Sequence, residues 1–263
     1  MTASFEAGDA GWRGALHVHT ELSHDGTMSL TEVSRLLRNN GYQFVMTSDH
    51  SQDVNDESMA QLVEQSDRLS TQDFLIIPGI EFTCDHWIHI LGYGVTMVCA
   101  SQKPADVINH IHRHGGLAVL AHPTIRPYPF DRDWIAMLDG CEIWNVANEG
   151  KYIPQTKSIR WHREHRRLND SFKGFAGLDL HREINFDRVV TLVDAPALSR
   201  AALIDALRDG RYRTQSAWFE APSTVDLPPL RRASLATARC ILNIVRKARD
   251  RAQAWTSRTG SSR

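Results

Sequence analysis

Leu16-His17-Val18-His19-Thr20, followed at once by Ser23-His24-Asp25-Gly26, decides how the rest of the chain reads. Side chains of an extended strand alternate between its faces, so two histidines one residue apart share a face and can reach one metal ion. A histidine pair inside a strand is by itself commonly an ordinary core or edge feature. Recurrence gives this one weight: Asp49-His50, Glu81, His89, His122 and Asp179-Leu180-His181 each stand at or just after a short apolar run. Ligand-type residues at so many strand ends imply one collected site.

Outward from that stretch, Gly14 to Thr20 reads as the first strand. Ser29-Leu30-Thr31-Glu32 is a capping-box pattern opening a helix with Leu30, Val33, Leu36 and Leu37 on its apolar stripe and Gly41 at its end. Phe44 to Thr47 is a buried strand delivering Ser48-Asp49-His50, and a second helix covers Asp56 to Leu69. Phe74 to Ile80 leads into Glu81, and His89 to Tyr93 is entered from a turn around Asp85-His86. Lys103 to His114 reads as a helix stopped by Gly115-Gly116. Leu117 to Ala121 then leads into His122, Cys141 to Trp144 into Asn145, and Phe175 to Leu178 into Asp179. A strand from Val189 to Val193 and a helix from Ser199 to Arg208 follow. Strand, polar tip and helix in repetition are the form of a barrel of parallel strands, whose functional groups gather at the strands' C-terminal ends.

With 263 residues the chain can form one α/β barrel, and its 42% hydrophobic and 23% charged content is that of a soluble globular protein. No basic, apolar leader opens it and no stretch of about 18 apolar residues follows, so a cytoplasmic protein is expected. Cys84, Cys99, Cys141 and Cys240 form no C-x-x-C pair and read as reduced thiols. The net charge of −1 hides an asymmetry: residues 231–263 hold nine Lys and Arg against one acid, Asp250, for +8, which leaves −9 on the preceding 230 residues. The segment from Ala221-Pro222 through Pro228-Pro229 reads as a proline-rich linker, so a division at 1–222 and 223–263 is expected. Beyond it Leu235, Ala238, Ile241, Leu242 and Val245 have helical spacing opposite a basic face of Arg239, Arg246, Arg249 and Arg251. The start of the chain and Thr256 to Arg263 are expected to be loose.

In order and spacing, His17-x-His19-Thr20 with Asp25-Gly26, Ser48-Asp49-His50, Pro78-Gly79-Ile80-Glu81, His89-x-Leu91-Gly92, Ala121-His122-Pro123 and Gly177-x-Asp179-x-His181 resemble the PHP family, named for polymerase and histidinol phosphatase. The resemblance runs from about residue 14 to 215. It implies a distorted (β/α)7 barrel of the TIM-like kind holding up to three divalent metals and hydrolysing phosphate esters. Position by position, it implies that His17, His19, Glu81 and Asp179 hold one metal, that Glu81 bridges to a second held by His89 and His122, and that Asp25, His50 and His181 hold a third. Glu81, Asp179 and His181 are the residues it places at the chemistry. Asp25 occupies a position that is histidine in some members, and His24 stands beside it.

Imidazole and carboxylate ligands together suit zinc, manganese or iron, whereas magnesium sites are dominated by oxygen. A carboxylate has two oxygens and can bridge two cations. Metals roughly 3.5 to 4 Å apart can clamp both oxygens of an in-line displacement and lower the pKa of a bridging water, making hydroxide the nucleophile. Arg126, in the loop after His122, and Arg182, beside His181, are candidates for binding phosphate oxygens, although a barrel-loop arginine is more often solvent-facing. His110, His112 and His114 read as an exposed helix face. Asp49 reads as an orienting partner of a ligand or as a strand-end cap, Glu142 and Asn145 either as residues lining the pocket or as an outward residue and the start of a turn, and Trp144, Trp161 and Trp218 as packing residues rather than substrate platforms. The substrate expected is a small phosphorylated molecule or a short nucleotide. A nuclease on longer DNA or RNA is the alternative, disfavoured by the acidic body; the basic tail reads foremost as a docked, solvated helix rather than a nucleic-acid or membrane contact. A non-catalytic metal-stabilised regulatory module and an amide hydrolase are the remaining readings.

Overall fold

In the first strand, β1 (Trp12–Val18), every residue from Gly14 onward is buried, which is what a run of small and apolar side chains flanked by the sheet predicts. The structure, a computed structural model, describes residues 11–259 and the side chains to residue 249. The opening Met1–Glu6 and residues 260–263 lie outside the described residues; Thr256 to Thr259 are helical rather than loose. The chain divides into two compact units, Met1–Asp226 and Leu227–Arg263.

In the first unit β1 is followed by α1 (Leu30–Asn39), whose Ser29 hydroxyl accepts the Glu32 amide while the Glu32 carboxylate accepts the Ser29 amide. This reciprocal cap satisfies two amides that a helix start leaves unpaired. Next come β2 (Phe44–Thr47), β3 (Asp49–His50), α2 (Asp56–Leu69), β4 (Leu75–Ile77), β5 (Gly79–Cys84) and β6 (Ile88–Tyr93). Then α3 (Pro104–Arg113) begins with proline, whose missing N–H costs nothing in the first turn. The remaining elements are β7 (Leu117–Leu120), α4 (Arg132–Ile135), β8 (Gly140–Asn145), α5 (Val146–Glu149), α6 (Thr156–His165), β9 (Lys173–Gly177), β10 (Val190–Val193), α7 (Arg200–Arg208), β11 (Tyr212–Gln215) and β12 (Glu220–Pro222). Ala221 and Pro222, read as the opening of a linker, thus belong to a strand, and Val225 beyond them is buried.

The strands make two six-stranded sheets, β12-β11-β10-β1-β2-β4 and β3-β5-β6-β7-β8-β9. Their ladders close into no single barrel among the described residues, and the expected all-parallel order is corrected. Only β1–β2, β2–β4, β3–β5, β7–β8 and β8–β9 are parallel. The pair β5–β6 is antiparallel because the three-residue turn Asp85–Trp87 joins them directly, whereas a parallel pair needs a long crossover.

The sheets nevertheless share both flanks. Ser48 alone separates β2 from β3 and Pro78 alone separates β4 from β5, so the chain steps twice from one sheet into the other. A side chain at Gly79 would stand 2.7 Å from the Gly92 carbonyl and 2.8 Å from that of Thr47, so only glycine allows this junction. On the opposite flank the Leu178 amide donates to Leu16 (2.9 Å) and the His19 amide to Leu180 (3.0 Å). One apolar core fills the space between the sheets, with Leu16, Phe44, Met46, Leu91, Tyr93, Val119, Ala121 and Phe175 among its members. Several of these adjoin a candidate ligand in sequence or across a ladder, so the core is the floor of the site.

The second unit contains α8 (Pro229–Thr259), a single 31-residue helix. No described helix is long and apolar enough to cross a membrane.

Candidate metal centre

His17 and His19 converge, with ring centroids 5.1 Å apart, but not through simple alternation. His17 has φ +58°, the β1–β2 register shifts between Ala15 and Val18, and His19 lies just past the strand. A kink, not a flat strand, aims both rings inward. His122 (φ +29°) and Asp179 (φ +52°) share this left-handed backbone, which costs a side-chain-bearing residue about 1–3 kcal/mol and tends to gather at functional sites.

Glu81, on β5, is buried at the centre. Its Oε2 lies 3.3 Å from His17 Nε2, 3.4 Å from His19 Nε2 and 3.2 Å from His50 Nδ1, while its Oε1 lies 3.0 Å from His89 Nδ1 and 3.3 Å from His122 Nε2. Asp179 Oδ1 is 3.4 Å from both His17 Nε2 and His19 Nε2. On the outer side Asp25 is 3.1 Å from His181 Nε2 and 3.5 Å from His50 Nε2. All nine residues expected as ligands therefore meet in one pocket. Eight of them form three tight groups, His17/His19/Asp179, Glu81/His89/His122 and His19/His50/His181, with the ligand-type atoms of each group within 4.8 Å of one another; Asp25 belongs to none of the three. His24 stays outside, its Nδ1 held by Asp53 at 2.7 Å.

The residues behind the ligands fix their orientation. Glu142 Oε1 accepts from His17 Nδ1 at 2.7 Å, and its Oε2 accepts from the His122 amide (2.8 Å) and Asn145 Nδ2 (2.9 Å). A carboxylate only accepts, so His17 carries a proton on Nδ1 and turns Nε2 toward the pocket. Asp49 accepts from the Thr20 amide and from both the Thr20 and Ser23 hydroxyls; the Ser23 oxygen then accepts from His19 Nδ1 at 3.2 Å. Asn145 and Asn148 donate to Asp179 Oδ2 at 3.1 and 3.2 Å, leaving Oδ1 turned inward. Such supporting bonds are the usual companions of metal-bound imidazole and carboxylate.

Of the two sequence readings of Glu142, pocket-lining or outward-facing, the structure selects the first. β8 is buried along its whole length, and its register against β9 shifts between Glu142 and Trp144, turning the carboxylate inward. Gly177 leaves room for it: a side chain there would meet Glu142 Oε1 at 1.8 Å. Asn145 does begin a turn, as the cap of α5, and also reaches the site. His110 is buried and bonded to the Met97 carbonyl (2.8 Å), so the three-histidine run is not an exposed face; its period matched solvent exposure only at His112 and His114. Trp144 packs in the core, whereas Trp218 is exposed and is not a packing residue. Arg126 donates to the Trp87 carbonyl (2.8 Å) and lies over the Tyr128 ring, while Arg182 is exposed; neither makes a hydrogen bond or ion pair with the cluster among the described residues.

Burial opposes charge on each group here, yet the groups shift in opposite senses. His17 and hydrogen bonds from His122, His17 and His50 hold the Glu81 carboxyl well below its ordinary range, and His17 and His19 do the same for Asp179. Glu142, Asp179 and Glu81 push His17 well above its ordinary value, whereas burial prevails at His19 and lowers it. Three buried carboxylates thus demand positive charge, as protons or as cations. Cations fit this donor set. Two ligands each about 2.1 Å from one ion and separated by 90–110° lie about 3.0–3.4 Å apart, which is the spacing found here. The buried His19 Nε2, His181 Nε2 and Asp25 Oδ1 have no hydrogen-bond partner among the described residues, as atoms reserved for an ion would not.

No protein-family model matches the chain, and no curated protein does. Solved structures do. A two-domain protein from Bacteroides vulgatus containing a predicted PHP-like metal-dependent phosphoesterase superposes with TM-score 0.56 at 19% identity, over 78% of this chain and 64% of that one. The chain has the PHP-like fold. PsfC from Pseudomonas syringae gives 0.52 at 15% identity over 90% of this chain and 98% of that one. A lesion-specific endonuclease from Pyrococcus furiosus gives 0.55 at 12% over 76% and 55%. The chain thus spans about two thirds or less of the Bacteroides and Pyrococcus proteins, and the PHP-like fold is what these likenesses have in common with it.

Proposed function

We propose that the chain is a metal-dependent phosphoesterase acting on phosphate mono- or diesters of a small molecule or short nucleotide. We read its two sheets, joined at both flanks, as a distorted (β/α)7 barrel. The observation that carries the proposal is the division of Glu81 between two sets of imidazoles, His17, His19 and His50 on one oxygen, His89 and His122 on the other. A single carboxylate so placed is suited to two cations.

In this reading His17, His19, Glu81 and Asp179 hold one divalent ion, Glu81, His89 and His122 a second, and Asp25, His50 and His181 a third. Zinc, manganese or iron bound there would supply Lewis acidity toward a phosphoryl oxygen and lower the pKa of a water. The protein's own part is positional. Asn145 and Asn148 keep Asp179 Oδ1 aimed inward, Glu142 fixes the His17 tautomer, and the apolar floor excludes bulk water. Glu81, Asp179 and His181 face the reacting centre, with His181 on the more open side beside Asp25. Arg126 and Arg182 follow His122 and His181 in the chain, and in this reading they take phosphate oxygens from the adjoining loops.

The test is elemental analysis followed by a phosphoester panel assayed with the ion found. His19→Ala and Asp179→Ala are expected to lose metal and activity together while the circular dichroism spectrum is kept. Unchanged hydrolysis of an aryl phosphate or dinucleotide in those variants refutes the proposal. Likeness of fold to the Pyrococcus endonuclease favours a second reading, a nuclease on longer DNA or RNA. Activity on oligonucleotides but not on mononucleotides or dinucleotides would select it.

A further inference from the structure

Beside the cluster lies an open cleft of about 440 Å³, walled by Ser51, Gln52, Thr83, Trp87 and Gln102, with His24 at its inner end. Three of its residues adjoin members of the cluster. Ser51 follows His50, Thr83 pairs with His89 across the β5–β6 ladder, and the His24 ring is 5.6 Å from that of His50. Unlike the cluster, its walls contain no Lys, Arg, Asp or Glu. The volume lies within the range of small-molecule pockets.

The walls are braced against one another. The Thr83 amide donates to Ser51 Oγ (3.0 Å), and its hydroxyl donates to Gln52 Oε1 (2.7 Å), which leaves the Gln52 amide hydrogens for another partner. The Asp85 amide holds the Gln102 carbonyl at 2.8 Å. Trp87 is 65% exposed, a costly placement for the largest apolar side chain, on a turn where it and His86 both have left-handed backbone (φ +58° and +61°). Arg126 pins the Trp87 carbonyl at 2.8 Å. A strained, tethered turn that displays an indole is an arrangement that function explains better than packing.

We propose that this cleft binds the leaving-group end of the substrate and that its occupant is a nucleobase, stacked on Trp87 and met at its edge by the amides of Gln52 and Gln102. The inference rests on the phosphoesterase reading for the neighbouring cluster. A planar group with donors and acceptors on its rim uses an aromatic face and neutral amides together, whereas an alkyl group leaves the amides unpaired and an anionic group finds no countercharge.

Binding to the metal-loaded protein is measured calorimetrically with a nucleoside 5′-phosphonate, whose P–C bond is no phosphoester, and with sugar and alkyl phosphonates of the same charge. Wild type is expected to favour the nucleoside ligand, and Trp87→Ala to weaken it about 5- to 150-fold, the range for loss of one base–aromatic stack. Trp87→Phe keeps a ring and is expected to keep most of the affinity, and alkyl phosphonate binding should be unchanged in both variants. Lack of a nucleoside preference in wild type, measurable binding of none of the ligands, or equal loss for all ligands in the variants overturns the proposal. A Trp87-dependent preference without hydrolysis of any phosphoester would sink the phosphoesterase reading, and the leaving-group role with it, and leave the cleft's assignment as a nucleobase site standing. Equal hydrolysis of nucleoside and alkyl esters would do the reverse.

Discussion

Replacing Glu142 by glutamine keeps the shape of the side chain and removes its charge. Glu142 has three donors around it, His17 Nδ1 at 2.7 Å on one oxygen and the His122 amide and Asn145 Nδ2 at 2.8 and 2.9 Å on the other. A glutamine offers one oxygen and one NH2, so in either orientation its NH2 confronts at least one donor in a site closed to water. Each such bond to a charged group is worth about 1.5–3 kcal/mol. Loss of an outer partner of a ligating histidine weakens metal binding about 10- to 100-fold, or about 1.4–2.7 kcal/mol. In the metal-free protein the loss is offset, because one of three clustered buried negative charges disappears. The deficit should therefore show in the loaded protein. Chelator-competition titrations with zinc or manganese are expected to give a dissociation constant raised by that factor. Melting curves should show a smaller metal-dependent gain, since the stabilisation follows the logarithm of occupancy. A Glu142→Gln protein that binds metal within twofold of wild type, with the same thermal gain, refutes the reasoning.

His162 of α6 is buried against Phe172, and burial pushes its pKa down to about 4, with Arg166 adding to the effect. The unfolded chain binds a proton there near 6.5, so stability is complete above pH 6.5 and falls by up to about 3 kcal/mol as pH drops toward 4. Denaturant titrations across that range should show the slope, and His162→Phe should flatten it. Gly177→Ala places a methyl group 1.8 Å from Glu142 Oε1 and 2.8 Å from the His17 Cβ, and should cost about 1–3 kcal/mol by chemical denaturation and lower metal affinity. Asp49→Ala strands the Thr20 amide and two hydroxyls, and is expected to destabilise by about 2–4 kcal/mol; Asp49→Asn should recover part of this, and equal melting of all three proteins counts against the network.

Most of the elements were legible because each carries a local cause. Ser29 and Glu32 cap α1, Pro104 opens α3, Ser199 caps α7, and the apolar runs end where the strands end. The antiparallel members were not, because apolar runs in parallel and antiparallel strands look alike when both faces are buried, as they are in β7 and β8. The nine candidate residues that meet in the pocket were legible from residue type, from position at strand ends and from the family resemblance together. Sequence left Glu142 between a pocket-lining and an outward reading, because simple alternation does not hold in a strand with no solvent face and a register shift beside that residue. Arg126 shows the opposite limit: proximity in sequence to His122 says nothing of its bond to the Trp87 carbonyl on another loop.

Left-handed backbone at His17, His122 and Asp179, together with three buried carboxylates, makes the centre locally expensive before any cation arrives. Something else must hold it in shape. The apolar floor does so, for Leu16 precedes His17, Ala121 precedes His122, and Leu91 lies opposite Glu81 in the β5–β6 ladder, all fully buried in one cluster. The hydrogen bonds of Glu142, Asn145 and Asp49 then fix the rotation of each ligand. A centre imposed in this way by core packing is preorganised, so removal of one inner imidazole, as in His19→Ala, is expected to weaken metal binding without removing what folds the pocket. Were the ion instead the source of the geometry, chelation alone would abolish the cooperative thermal transition of the wild-type chain. Core burial predicts that this transition survives chelation at a lower temperature.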